Sequence, residues 1–136
     1  MKNNDCIFCK ITNGEIPSVT IYEDELFQVI LDRGPASKGH ALILPKQHYE
    51  DIYELSEEMT AKAFVLAKKL AEEMTKALSC DGFNIVQNNK EASGQTVFHF
   101  HIHLIPRFIN DDAKVGWTVH DITEEEMQSI AKQLNF

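Results

Sequence analysis

The run "QTVFHFHIHLIPRF", residues 95–108, sets His99, His101 and His103 at every second position and fills the gaps with Phe98, Phe100, Ile102 and Leu104. Three of the chain's six histidines thus stand side by side in one apolar stretch. Successive side chains of a strand point to opposite faces, so the spacing predicts three imidazoles on one face and four apolar side chains on the other. Neighbours on one face lie roughly 6 to 7 Å apart. One histidine would serve as polar cover on a half-exposed strand. A row of three asks for chemistry, because imidazole is costly to bury and changes charge near neutral pH.

Two chemistries compete. A His-x-His pair on a strand can hold a single zinc that activates water. Alternatively, a neutral imidazole attacks an electrophile such as phosphorus, while its neighbours fix its tautomer and bind the anion. The loop ahead of the row favours the second: Gly94 lets backbone approach a ligand, and Gln95 and Thr96 are short-range donors. A second constellation, "CIFC", places thiols at Cys6 and Cys9. A redox pair would want a thioredoxin-like βαβ context, which is lacking; two free thiols on a turn and half of a zinc site both stay open.

The elements that must carry these residues follow from pattern. Residues 1–18 read as a short turn-rich segment punctuated by Gly14 and Pro17. Strands are predicted over 19–22 and 27–31 as a hairpin, over 40–45 with Pro45 as the stop, over 83–88, and across the histidine row as far as Pro106. The clearest helix spans 57–78: Ser56 is the N-cap, and Met59, Ala63, Phe64, Leu66, Ala67, Leu70, Met74, Ala77 and Leu78 form an apolar face assigned to the core. In "TEEEMQSIAKQL", Thr123 and Glu126 stand in capping-box register at the head of a closing helix. The sum is an α+β fold, an antiparallel five-stranded sheet with one long helix packed on it and a short C-terminal helix. Residues 1–136 have the length of a single domain, with 109–136 as a variable tail.

Composition narrows the function classes. Thirteen Lys+Arg against 21 Asp+Glu give a net charge of −8 with no basic patch, which argues against a nucleic-acid partner while leaving room for a small anion at a local site. No run approaches the length of a membrane span or a signal peptide, and three cysteines, an odd number, suit a reducing compartment; the expectation is a cytoplasmic protein.

His99-Phe100-His101-Ile102-His103-Leu104-Ile105 resembles the signature of the histidine triad family of nucleotide-binding hydrolases and transferases. The likeness extends to "IFCKITNGEIPS", "GHALILPKQH" and "NNKEASGQTV", covering the chain up to about Phe108. It implies that His101 is the nucleophile that attacks the α-phosphorus of a nucleotide, with His103 on the phosphate and leaving group and His40 supporting the triad from the neighbouring strand. It implies phosphate contacts from Asn88, Gly94, Gln95 and Thr96, ribose contacts from Asp32, and a base held among Ile7, Phe8, Ile11 and Ile30. A zinc-carrying branch of the superfamily implies a structural site of Cys6, Cys9, His48 and His99, leaving His101 and His103 free for phosphate. The resemblance is nearest the branch acting on purine nucleoside phosphoramidates, whose members form homodimers; here helix 57–78 and strand 83–88 would meet the second copy. Hydrolysis of dinucleoside polyphosphates, nucleotidyl transfer and a non-catalytic nucleotide sensor are the competing functions. Trp117, in the tail, would either shape leaving-group specificity or anchor the tail, Cys80 is a small apolar filler, and Arg107 carries no assigned role.

Overall fold

A computed structural model of the chain describes residues 3–136. In chain order the elements are α1 (Ile7–Thr12), β1 (Thr20–Glu23), β2 (Phe27–Leu31), β3 (Ala41–Pro45), α2 (Glu57–Leu78), β4 (Gly82–Gln87), β5 (Ile102–Arg107) and α3 (Glu124–Gln133), with 3₁₀ turns at Ile52–Glu54 and Glu91–Ser93. The strands pair antiparallel throughout in the order β1-β2-β3-β5-β4. This is the α+β architecture that the pattern predicts.

The central strand β3, "ALILP", is buried at every position because both of its faces are covered. Ala41 and Ile43 join Val29, Ile102, Leu104 and Phe100 under α2, which contributes Ala63, Leu66, Ala67 and Met74. Leu42 and Leu44 turn the other way and pack with Ile30 and Phe8, the last of these from α1. One sheet therefore separates a helix-covered core from a second face on which the functional residues collect. His103 lies on this second face, paired in register with Leu42.

Helix α2 forms where expected, with the Ser56 hydroxyl accepting from the Met59 N–H, Glu57 and Glu58 in the first turn and Lys76 in the last. Its buried stripe is narrower than predicted: Phe64 and Ala77 are exposed. Helix α1 was not expected. It is only six residues long, capped by the Cys6 sulfur, and too short to leave a periodic signature in sequence.

The histidine row is also not one strand. β5 begins at Ile102, and the chain bends over residues 97–99. There the Phe100 N–H donates to the Tyr49 carbonyl rather than to a neighbouring strand. The bend leaves Phe98 43% exposed, so it does not join Phe100, Ile102 and Leu104 in the core. Beyond β5, the Arg107 guanidinium donates twice to Asp111 and once to Asn84, which closes the turn into the tail and accounts for Arg107. α3 carries the expected Thr123–Glu126 capping box, and its residues are exposed, as is Trp117.

Candidate active site

His101 sits just before β5 and is buried, with its Nδ1 2.7 Å from the His99 carbonyl oxygen. A carbonyl only accepts, so Nδ1 carries the proton and the lone pair is on Nε2. Burial pushes the His101 pKa down, against the pull of the His99 carbonyl and Asp32 in the other direction. The ring is therefore a neutral imidazole with a fixed tautomer, the form in which it is nucleophilic.

A second chain of bonds fixes His103. The Ala36 N–H donates to His40 Nδ1 at 2.9 Å, so the His40 proton is on Nε2, which donates to His103 Nδ1 at 2.9 Å. The neutral His103 ring must then carry its own proton on Nε2. Burial, followed by repulsion from His101 and His40 once acid protonates those rings, pushes the His103 pKa down to about 4. The two rings have their centroids 4.9 Å apart. They present unlike atoms, a lone pair on His101 and an N–H on His103. Gly39 makes the placement of His40 possible: its φ is +90°, and a Cβ there would lie 2.5 Å from Leu78 Cδ1 and 3.3 Å from Pro106 Cγ.

Both rings line a cleft of about 320 Å³, within the range of small-ligand sites. Among the expected site residues, Ile7, Phe8, Ile11, Ile30, Asp32 and Thr96 line it as well. The Asp32 carboxylate accepts the Gly34 N–H at 2.8 Å and lies 3.6 Å from His40 Nε2 in the wall of the cleft. Ile16, Pro17, Ser18 and Arg33 also line the cleft. Sequence reasoning missed them because they are ordinary loop residues brought to the site by the α1–β1 and β2–β3 connections.

The remaining expected residues lie elsewhere. Asn88 is beside Gly94, whose φ is +103° and where a Cβ would stand 3.7 Å from Asn88 Nδ2. Gln95 is 2% exposed and its amide is fully engaged: Oε1 accepts the Lys90 N–H at 2.7 Å, and Nε2 donates to the carbonyls of Glu50 and Val97. Its side chain is a latch for the loop, and neither it nor Asn88, Gly94 or His40 lines the cleft.

The first histidine of the row faces away. His99 Nδ1 is 3.3 Å from Cys6 Sγ and 3.5 Å from Cys9 Sγ, and Cys9 Sγ is 3.3 Å from His48 Nδ1. The four donor atoms all lie within 4.8 Å of one another. Tetrahedral zinc with N and S ligands needs donor–donor edges of about 3.3 to 3.8 Å. The donor set thus fits a closed Cys2His2 site. Supporting contacts fit as well: His99 Nε2–H donates to the Pro45 carbonyl at 2.9 Å, which turns Nδ1 towards the sulfurs, and the backbone N–H groups of Asn3 and Cys9 donate to Cys9 Sγ and Cys6 Sγ. Burial pushes the Cys6 thiol up, and a bound cation would reverse that by favouring thiolate. Asp32, His40 and His103 also bring donor atoms together, but two of their nitrogens face each other across a hydrogen bond, so a proton already occupies that space.

Comparison with known proteins decides the family. Residues 13–110 match the HIT domain. The chain belongs to the HIT domain family. The adenosine 5'-monophosphoramidase of Schizosaccharomyces pombe is 40% identical over 132 residues, covering 96% of this chain and 96% of that protein. A crystal structure from Streptococcus mutans superposes with a TM-score of 0.91 at 41% identity, covering 98% of this chain and 85% of that one. A zinc-bound histidine triad family protein from Mycobacterium smegmatis superposes with a TM-score of 0.76 at 35% identity, covering 96% and 95% of the two chains. The matched span holds all five strands, α2 and the histidine row of this chain.

Proposed function

We propose that this protein is a purine nucleotide hydrolase of the nucleoside phosphoramidate type. One observation carries the reading: the bond from His101 Nδ1–H to the His99 carbonyl leaves the Nε2 lone pair on a buried, neutral ring in the cleft wall. In the proposed reaction the Nε2 lone pair attacks the α-phosphorus and forms a P–N bond. The bond from phosphorus to the substrate's amine breaks, and its electron pair leaves on the amine, which takes a proton from solvent. His103 Nε2–H donates to a phosphoryl oxygen as its charge grows. Water then attacks phosphorus and gives a proton back to solvent, the P–N bond to His101 breaks with its electron pair returning to Nε2, and a nucleoside monophosphate departs with the imidazole restored. The similarity to the S. pombe phosphoramidase supports this substrate class.

Residues Cys6, Cys9, His48 and His99 would hold a structural zinc, a reading supported by the donor set and by the zinc-bound mycobacterial relative. Its contribution is to pin α1, and with it Ile7, Phe8 and Ile11, against the sheet. A homodimer is inferred on the unpaired edge of β4 and the adjoining face of α2, where Ile85, Phe64 and Val65 are exposed.

The test is a substrate panel with an alkaline denaturing quench, which spares a P–N bond that acid would hydrolyse. Adenosine phosphoramidate should turn over ahead of a dinucleoside tetraphosphate and a nucleotide sugar. Intact-mass spectrometry should find a nucleotidyl adduct that maps to His101 and is absent in His101→Ala. Turnover of the tetraphosphate alone would overturn the substrate class, and near-normal turnover in His101→Ala would overturn the nucleophile.

A further inference from the structure

Lys90 occupies backbone that lysine rarely accepts. Its φ of 75° and ψ of 163° lie in the region reserved almost entirely for glycine. A side chain held there needs a compensating contact, and one is present: Lys90 Nζ is 2.7 Å from Asp51 Oδ2. Asp51 is 1% exposed, and its other oxygen accepts the Tyr53 N–H to cap the 3₁₀ turn Ile52–Glu54. Apart from the Lys90 ammonium, no N–H or O–H donor is aligned on Oδ2 among the described residues, so Lys90 balances that buried charge as an ion pair. Glu50 and Glu54 add negative charge around the same ammonium.

The pair is one of three ties between two segments. Ile52 N–H donates to Asn89 Oδ1 at 2.8 Å, and Gln95 bridges from the Lys90 N–H to the Glu50 carbonyl. Together they hang the 88–96 loop on residues 50–52. That loop ends at Thr96 in the wall of the cleft, and it places Asn88 beside Gly94. The ion pair is the tie that neither backbone nor amide bonding supplies.

We propose that Lys90 and Asp51 are positioning residues for phosphate recognition, an electrostatic latch that holds the 88–96 loop in the shape that meets the substrate's phosphate. The inference rests on the reading of the cleft as a nucleotide site. The latch acts on substrate binding and leaves the chemical step at His101 untouched, so its loss raises KM with little change in kcat.

The test measures kcat and KM for adenosine phosphoramidate, and calorimetric Kd for adenosine 5'-monophosphate, in Lys90→Met, Lys90→Gly, Lys90→Arg and Asp51→Asn. Lys90→Gly relieves the backbone and keeps the fold testable if Lys90→Met folds poorly. Asp51→Asn keeps a capping oxygen and removes the charge. Both Lys90→Met and Lys90→Gly should raise KM and Kd about tenfold, with kcat within about twofold, and Lys90→Arg should restore both constants. In the Asp51→Asn background, Lys90→Met should add less than about a twofold change. KM and Kd within about twofold of wild type in Lys90→Gly, or a full additive effect in the Asp51→Asn background, would overturn the latch. Absence of turnover in the wild type would instead strike the hydrolase reading, and Kd alone would then decide the latch.

Discussion

Replacing His103 with glutamine removes a group that the fold keeps neutral, and the consequence can be worked through with its sign. Burial, with repulsion from His101 and His40 once acid protonates them acting the same way, holds the His103 pKa at about 4. The unfolded chain returns the ring to about 6.5. Between those values the unfolded state binds a proton that the folded state refuses, so stability falls as the pH drops from about 6.5 towards 4 and does not depend on this group above that window. From pH 7 to pH 5 the full shift corresponds to about 2 kcal/mol, at 1.36 kcal/mol per pKa unit. The ring is partly open to the cleft, and solvent screening brings the expected figure to roughly 1 to 2 kcal/mol. His40 and His101 are also pushed down by burial and add in the same direction, but they are common to both proteins. The assay is urea unfolding of wild type and His103→Gln at pH 7 and pH 5. Wild type should lose more stability than His103→Gln over this interval by that amount. Equal losses in the two proteins would refute the account of a buried, neutral His103.

Two further outcomes follow from the elements around the site. Cys6→Ser should lower the zinc content measured by atomic absorption and weaken binding of adenosine 5'-monophosphate by at least about fivefold, the lower end of ordinary coupling between two sites, because α1 carries both the sulfurs and the walls of the cleft; unchanged nucleotide affinity in zinc-free protein would sever that link. Gly39→Ala should destabilise the fold by about 1 to 3 kcal/mol in chemical denaturation, since its Cβ would strike Leu78 and its φ is positive; a loss under about 0.5 kcal/mol would show that the turn before His40 is more yielding than its geometry indicates.

Local pattern made much of the frame legible. Helix α2 follows from its 3.6-residue apolar spacing and the Ser56 cap, and α3 from the Thr123–Glu126 box. What escaped was set by partners distant in sequence. The period-two run through residues 95–101 predicts strand, yet the chain bends because the Phe100 N–H and the His99 ring are claimed by the carbonyls of Tyr49 and Pro45. Gln95 is visible as a donor in the right loop, but its destination, the Glu50 carbonyl, is 45 residues away. α1 escaped for a different reason: six residues give no periodicity, and the sulfur that caps it is read first as a metal ligand or a thiol.

The bend also explains how three adjacent imidazoles come to hold unlike states. On a continuous strand, His99, His101 and His103 would share one face and one environment, and nothing would distinguish their protons. With residues 97–99 bent, His99 Nδ1 turns to the sulfurs and its Nε2 is fixed by Pro45, while its carbonyl remains to accept from His101 Nδ1. The residue proposed as a metal ligand is thus the one whose backbone sets the tautomer of the proposed nucleophile. His103, on β5 proper, is oriented from the opposite side by His40, and its proton is directed by a chain that begins at the Ala36 N–H. A lone pair and an N–H then meet one cleft from neighbouring rings, both held neutral by burial. That pairing is what the proposed attack at the phosphorus of an anionic phosphoryl group needs, because a cationic His101 would have no lone pair to give, and a His103 with its proton on Nδ1 would offer the phosphoryl oxygens no donor.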